Sequence, residues 1–114
     1  MLPARRLCAG RGRLNAEMNN PPPELDGARV LKYAVLTDEI RNTGNVWHRV
    51  NGLDLPKVYA LAICKYDDNE DYYIFYCDSD WNVMTDLCRE TLDAALGSAE
   101  LEYKGITKHW KDFA

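Results

Sequence analysis

Three runs decide how this chain folds: Val58-Tyr59-Ala60-Leu61-Ala62-Ile63-Cys64-Lys65-Tyr66, Tyr72-Tyr73-Ile74-Phe75-Tyr76-Cys77-Asp78 and Asn82-Val83-Met84-Thr85-Asp86-Leu87-Cys88. Each is rich in β-branched, aromatic or other apolar residues with period-two alternation, and only residues 67–71 and 79–81 separate them. Loops this short join antiparallel neighbours, so the runs predict a meander. With hairpins centred on Asn69 and Asp80, Ile63, Phe75 and Thr85 align across the sheet, as do Leu61, Cys77 and Val83, and Lys65, Tyr73 and Leu87. The opposite face then carries Ala62, Tyr76 and Met84 in one row and Cys64, Ile74 and Asp86 in the next.

The meander leads into a helix. Thr91 suits an N-cap, and Leu92, Ala95, Leu96, Ala99 and Tyr103 fall on one helical stripe. Gly105 is placed to supply a left-handed C′ residue, with Ile106 against Leu101 in a Schellman stop. Gly97 costs up to about 1 kcal/mol relative to Ala in a helix interior, which predicts that its backbone packs closely on the sheet. Upstream, residues 30–37 read as a first strand and 45–50 as a shorter one; Asn51-Gly52 is a turn dipeptide, and Pro56 marks a strand entry or edge. Trp110 and Phe113 in the tail are expected to dock on the domain. The fold class is α+β: an antiparallel sheet of 4–5 strands with one main C-terminal helix on its Leu61/Ile63/Phe75 face.

At 114 residues the chain suits one domain. Residues 1–23, rich in Arg, Gly, Asn and Pro and without hydrophobic periodicity, read as a disordered or over-extended segment ending in a Pro21-Pro22-Pro23 spacer, with Met18 as a candidate start. Residues 24–114 form the predicted domain. Arg5-Arg6-Leu7-Cys8 lacks the apolar run of a secretory signal, and no stretch reaches the roughly 18 apolar residues of a membrane span. The expected location is cytoplasmic, with no membrane partner.

Charge points the same way. Four arginines against Glu17 give residues 1–18 a net +3, leaving −7 on the rest of a chain whose total is −4. An acidic domain repels phosphate backbones, so nucleic acid is not the expected partner. Seven carboxylates and no Lys or Arg lie from Asp67 to Asp86.

Cys8, Cys64, Cys77 and Cys88 contain no C-x-x-C, and His48 and His109 sit in no ligand motif, so neither a metal nor another cofactor is expected and buried thiols are the simplest reading. Asp78-x-Asp80-x-Asn82 opens like a calcium loop, but the sixth position is Val83 instead of Gly and the twelfth is Arg89 instead of Glu. A polar hairpin turn in which Asp78 or Asp80 accepts backbone donors fits better. The acidic loops 67–71 and 78–80 do not form one site either, because a strand rising about 3.3 Å per residue holds them roughly 20 Å apart. Asp86 stands alone inside a strand, where burial beside Ile74 and Cys64 would disfavour its ionised form and a tyrosine such as Tyr72, or a partner protein, would bond it. No nucleophile elbow or phosphate loop is present, and Cys88 with His109 is the one thiol–imidazole pairing worth testing.

The run 72–78, then Trp81-Asn82-Val83 with Thr85-Asp86, and Ala99-Glu100-Leu101-Glu102-Tyr103 with Gly105-Ile106 and Trp110, resembles a family of small bacterial proteins of unknown function. The resemblance covers roughly half the chain and implies a bacterial cytosolic domain; some similar short acidic proteins are suspected immunity proteins that neutralise secreted toxins. It carries over no catalytic residue.

Tyr59, Tyr66, Tyr72, Tyr73, Tyr76, Trp47 and Trp81 exceed what a small core needs, and amphipathic aromatics are enriched at interfaces. The expected function is a non-catalytic protein-binding module that docks a protein partner or a second copy of itself through Tyr76, Met84, Asp86 and Ile74. The alternative is a small hydrolase or metal-dependent enzyme using Asp86 or a Cys/His pair.

Overall fold

Why the apolar runs become strands is clearest in the middle of the chain, where Ala60–Lys65 (β6) is buried at five successive positions. Such a run satisfies its backbone only between two other strands. The computed structural model describes residues 18–37, 39–42, 49–50, 53–54 and 57–113. The earlier strands are Glu24–Leu25 (β1), Ala28–Val35 (β2), Arg41–Asn42 (β3), Arg49–Val50 (β4) and Leu53–Asp54 (β5). After β6 come Tyr72–Cys77 (β7), Val83–Arg89 (β8), the helix Leu92–Glu102 (α1), Tyr103–Lys104 (β9), a 3₁₀ turn Ile106–His109 and Lys111–Asp112 (β10). Expectations for residues 1–17, 43–48, 51–52 and 55–56, which include the Asn51-Gly52 turn and Pro56, lie outside the described residues.

One antiparallel sheet dominates, in the order β1-β2-β6-β7-β8, with β10 added to β2 on the edge that β1 also uses. The fold is therefore α+β, a meander β6-β7-β8 with the C-terminal helix on one face. β4 and β5 pair as a two-stranded ladder, and β3 pairs with β9.

The register differs from expectation by one residue on either side of β7. Ala62 faces Phe75 and Ile63 faces Ile74, so the first hairpin is centred between Asp68 and Asn69 and not on Asn69. The Asn69 side chain accepts the Asp71 amide at 2.7 Å while Lys65 donates to the Asn69 carbonyl at 2.6 Å, and this loop geometry sets the pairing. In the second hairpin Cys77 faces Val83 as expected, but a bulge then moves Thr85 opposite Tyr76 and Leu87 opposite Ile74. The two offsets add to two residues between β6 and β8, which leaves the faces of those strands matched, and invert β7. Ile74 and Tyr76, not Phe75, lie with Leu61 and Ile63 under the helix.

Each face of the sheet has its own core. On the helix side Leu61, Ile63, Ile74 and Tyr76 meet Ala95 and Ala99 of α1, then Tyr103, Ile106 and Ile40. On the other side Val30, Ala60, Ala62, Cys64, Phe75 and Cys77 are covered by Leu25 and Trp81, with Met18 and Phe113 at the margin. Fully burying a side chain the size of Leu61 or Phe75 is worth about 1.5–3 kcal/mol, so neither layer is dispensable.

Thr91 caps α1 as expected, its hydroxyl accepting the Ala94 amide at 3.0 Å. The other helix expectations need correction. Gly97 is exposed, and a Cβ built there meets nothing within 4 Å, so close packing does not account for it. No Schellman stop forms: α1 ends at Glu102 because Tyr103 and Lys104 leave to pair with Asn42 and Arg41. Leu101 is 58% exposed. Gly105 does adopt a left-handed φ of 97°, but as the entry to the 3₁₀ turn. The Pro-rich segment also departs from a free spacer, since residues 18–23 lie on the domain with Pro21 buried.

Candidate functional site

The four residues expected to share one docking face are divided by the inverted β7. Ile74 and Tyr76 are completely buried under α1. The Tyr76 hydroxyl donates to Glu102 Oε1 at 2.7 Å, and its ring lies 6.4 Å from that of Tyr103. Burial first, and then that hydrogen bond to a carboxylate, push the Tyr76 phenol well above its ordinary value. It is a neutral donor that ties the helix to the sheet. Met84 is the half-buried residue at the β8 bulge, and Asp86 points to the opposite face, exposed. The expectation of a buried Asp86 bonded to Tyr72 is thus overturned, because Tyr72 packs with the helix-side core.

What surrounds Asp86 was not foreseen. Tyr66 and Tyr73, both half-buried, meet edge to face at 5.2 Å between β6 and β7. The Tyr66 hydroxyl donates to the Asp26 carbonyl at 3.0 Å, and the Asn69 amide donates to the Tyr73 hydroxyl at 3.2 Å. Tyr66 titrates above its usual value through desolvation and then the nearby negative charges of Asp26 and Asp86. Next along β8, the Cys88 thiol is close enough to Tyr73 and Asp71 for both to influence its titration. Desolvation and the Asp71 and Asp86 carboxylates raise its thiol against the opposing effect of Tyr73, so it stays protonated. The result is an aromatic patch edged by Asp26, Asp71 and Asp86 at one end of the second face.

Other candidates fall elsewhere. Cys64 and Cys77 are free and buried, and burial pushes each thiol up to about 12. Cys88 and His109 do not meet: Cys88 lies on the outer strand β8, whereas His109 sits 3.3 Å from Glu39, after β2 near the opposite edge of the sheet. Asp78 closes the polar turn as expected, accepting the amides of Asp80 at 2.8 Å and Asn82 at 2.9 Å and the Asn82 side chain at 3.0 Å. Some desolvation works against its charge, but the Asn82 and Asp80 donors prevail and hold the carboxyl below its usual range. Among the described residues no three His, Cys, Asp or Glu side chains converge as a metal site. None of the described helices is long and apolar enough to cross a membrane.

Two structurally decisive roles escaped the sequence reading, that of Glu102 and that of Trp81, which is buried in the core instead of standing free for an interface. Glu102 continues the stripe of Ala95 and Ala99 at helical spacing, and a carboxylate within an apolar stripe is a readable sign of a buried polar contact. Trp81 gives no such sign, since its position depends on a left-handed φ of 65° that its residue type does not favour. No protein-family model, curated protein or solved structure matches the chain.

Proposed function

We propose that this chain is a cytoplasmic, non-catalytic protein-binding module that docks a basic partner on the patch of Tyr66, Tyr73 and Asp86, in the manner of an immunity protein that neutralises a toxin. The observation that carries the reading is the exposure of Asp86 beside two half-buried tyrosines, with Asp26 and Asp71 on the same rim. Aromatic area at low entropic cost with a single sign of charge around it suits steered docking of an oppositely charged surface. A separate partner is favoured over a second copy, because two like-charged rims oppose one another.

Capture from the native host with site controls tests this. Asp86→Lys and Tyr73→Ala are expected to lose a protein that the unmodified chain and Asp80→Lys, altered at the far end of β7, both retain. That protein should be toxic when expressed alone and harmless with the chain. Equal retention by all variants, or loss with Asp80→Lys as well, overturns the assignment.

A further inference from the structure

The second face holds an occupant at its other end, near Trp81. There the turn closed by Asp78 places the Trp81 amide 3.1 Å from the Asp78 carbonyl and holds Trp81 at φ 65°. A bulky residue keeps this conformation only where its surroundings fix it. Trp81 is 7% exposed, stands perpendicular to Tyr33 at 6.0 Å, and donates its indole N–H to the Asn19 carbonyl at 2.7 Å. Tyr33 donates to the Asn20 side chain at 3.3 Å. Pro21 is buried, and the Pro23 carbonyl accepts the Val30 amide at 2.9 Å.

The segment so held is Asn19-Asn20-Pro21-Pro22-Pro23. Residues 20, 21 and 22 each precede a proline, which confines them to extended or polyproline conformations, and none of the peptide bonds is cis. Prolines offer no amide donors, so a protein recognises such a segment by donating to its carbonyls and packing aromatic rings on its apolar faces. Trp81 donates to one such carbonyl, that of Asn19, while Tyr33 donates to the Asn20 side chain, and Pro21, between these contacts and the Pro23 carbonyl in sequence, is buried. We infer that Trp81 and Tyr33 form a recognition groove for proline-rich extended segments, filled in this chain by its own residues 19–23, and able to take such a segment from another chain when its own is displaced. This inference stands independently of the Tyr66/Tyr73/Asp86 reading, which uses the opposite end of β7.

The test uses the full chain carrying P21A/P22A/P23A and, as probe, a synthetic peptide of residues 18–25. The readout is the Trp81 indole N–H in a nitrogen–proton correlation spectrum, with the β6 and β7 amides as the control for folding. The indole signal is expected to leave its original position in the triple variant while those amides stay. Millimolar peptide should return it saturably, whereas the same peptide with alanine at its three prolines should not. An indole signal unmoved by the triple substitution overturns the inference, as does an equal response to both peptides or to neither. Loss of the β6 and β7 amide pattern overturns it too, by making the segment part of the core and not an occupant.

Discussion

Glu100 shows how a single side chain can hold a chain reversal. Its Oε2 accepts the Gly105 amide at 2.8 Å, and its Oε1 accepts both the Thr107 amide at 3.0 Å and the Thr107 hydroxyl at 2.7 Å. The Gly105 amide first, and then Thr107, favour the charged form and hold its carboxyl below the usual range. A carboxyl depressed in the folded state contributes stability above its unfolded value, and that contribution is lost as pH falls through the folded one. Glu100→Gln is therefore expected to destabilise at pH 7 by about 1 kcal/mol, reduced from the full value of a charged hydrogen bond by solvent screening. The difference should shrink below about pH 4 and vanish once both carboxyls would be protonated. Denaturant melts of both proteins at pH 7 and near pH 2.5 check this; an unchanged gap at low pH refutes the role of charge. Nothing in the spacing of Glu100 foretold it, because its partners lie beyond a helix end that the sequence places one residue too late. Thr91, by contrast, was legible, since an N-cap acts on its own next turn.

At the level of elements, α1 and β8 carry opposite kinds of liability. Gly97 is a plain weakness, exposed and without neighbours at its Cβ position. Gly97→Ala should raise stability by about 0.5–1 kcal/mol through helix propensity and a less flexible unfolded chain, read as a higher denaturation midpoint with unchanged slope. β8 is the outer strand of the sheet, and the alternation that begins with Leu36 donating to Tyr59 turns the backbone groups of Asp86 and Cys88 away from β7. Three features guard that edge. The bulge at Met84 bends it, Asp86 places a charge in its middle, and Arg89 Nη1 covers the Cys88 carbonyl at 2.8 Å. D86V/R89T removes two of them and is expected to dimerise with rising concentration in sedimentation equilibrium, while the unmodified chain stays monomeric. Identical masses for the two proteins would show that the edge needs no guard. The three strands and their order in the meander were legible because alternation survives any register. The faces were not, since one residue of loop geometry at Asn69 and one bulge at Met84 decide which side of β7 is which, and with them the place of Tyr76 and Asp86.

For the whole molecule, the consequence is that two cores depend on one shared pair of strands. β6 and β7 send Leu61, Ile63, Ile74 and Tyr76 to the helix side and Ala60, Ala62, Cys64, Phe75 and Cys77 to the other. Neither core can open without exposing the backbone ladder that supports its counterpart, so the two layers should unfold together. Ile63 and Phe75 sample the two sides, both fully or almost fully buried. Ile63→Ala is expected to cost about 2–5 kcal/mol and Phe75→Ala about 3–5 kcal/mol. Each should shift a single transition in which the far-ultraviolet dichroism, which follows the backbone, and the tryptophan fluorescence, which reports on both cores, move together. A domain of this size commands about 5–15 kcal/mol in total, so the double variant should sit at or below the margin of folding. Separate transitions for the two probes in Phe75→Ala would mean that the helix side can stand alone. In that case the layer of Leu25, Val30, Phe75 and Trp81 would be an independently opening unit and not half of a cooperative fold.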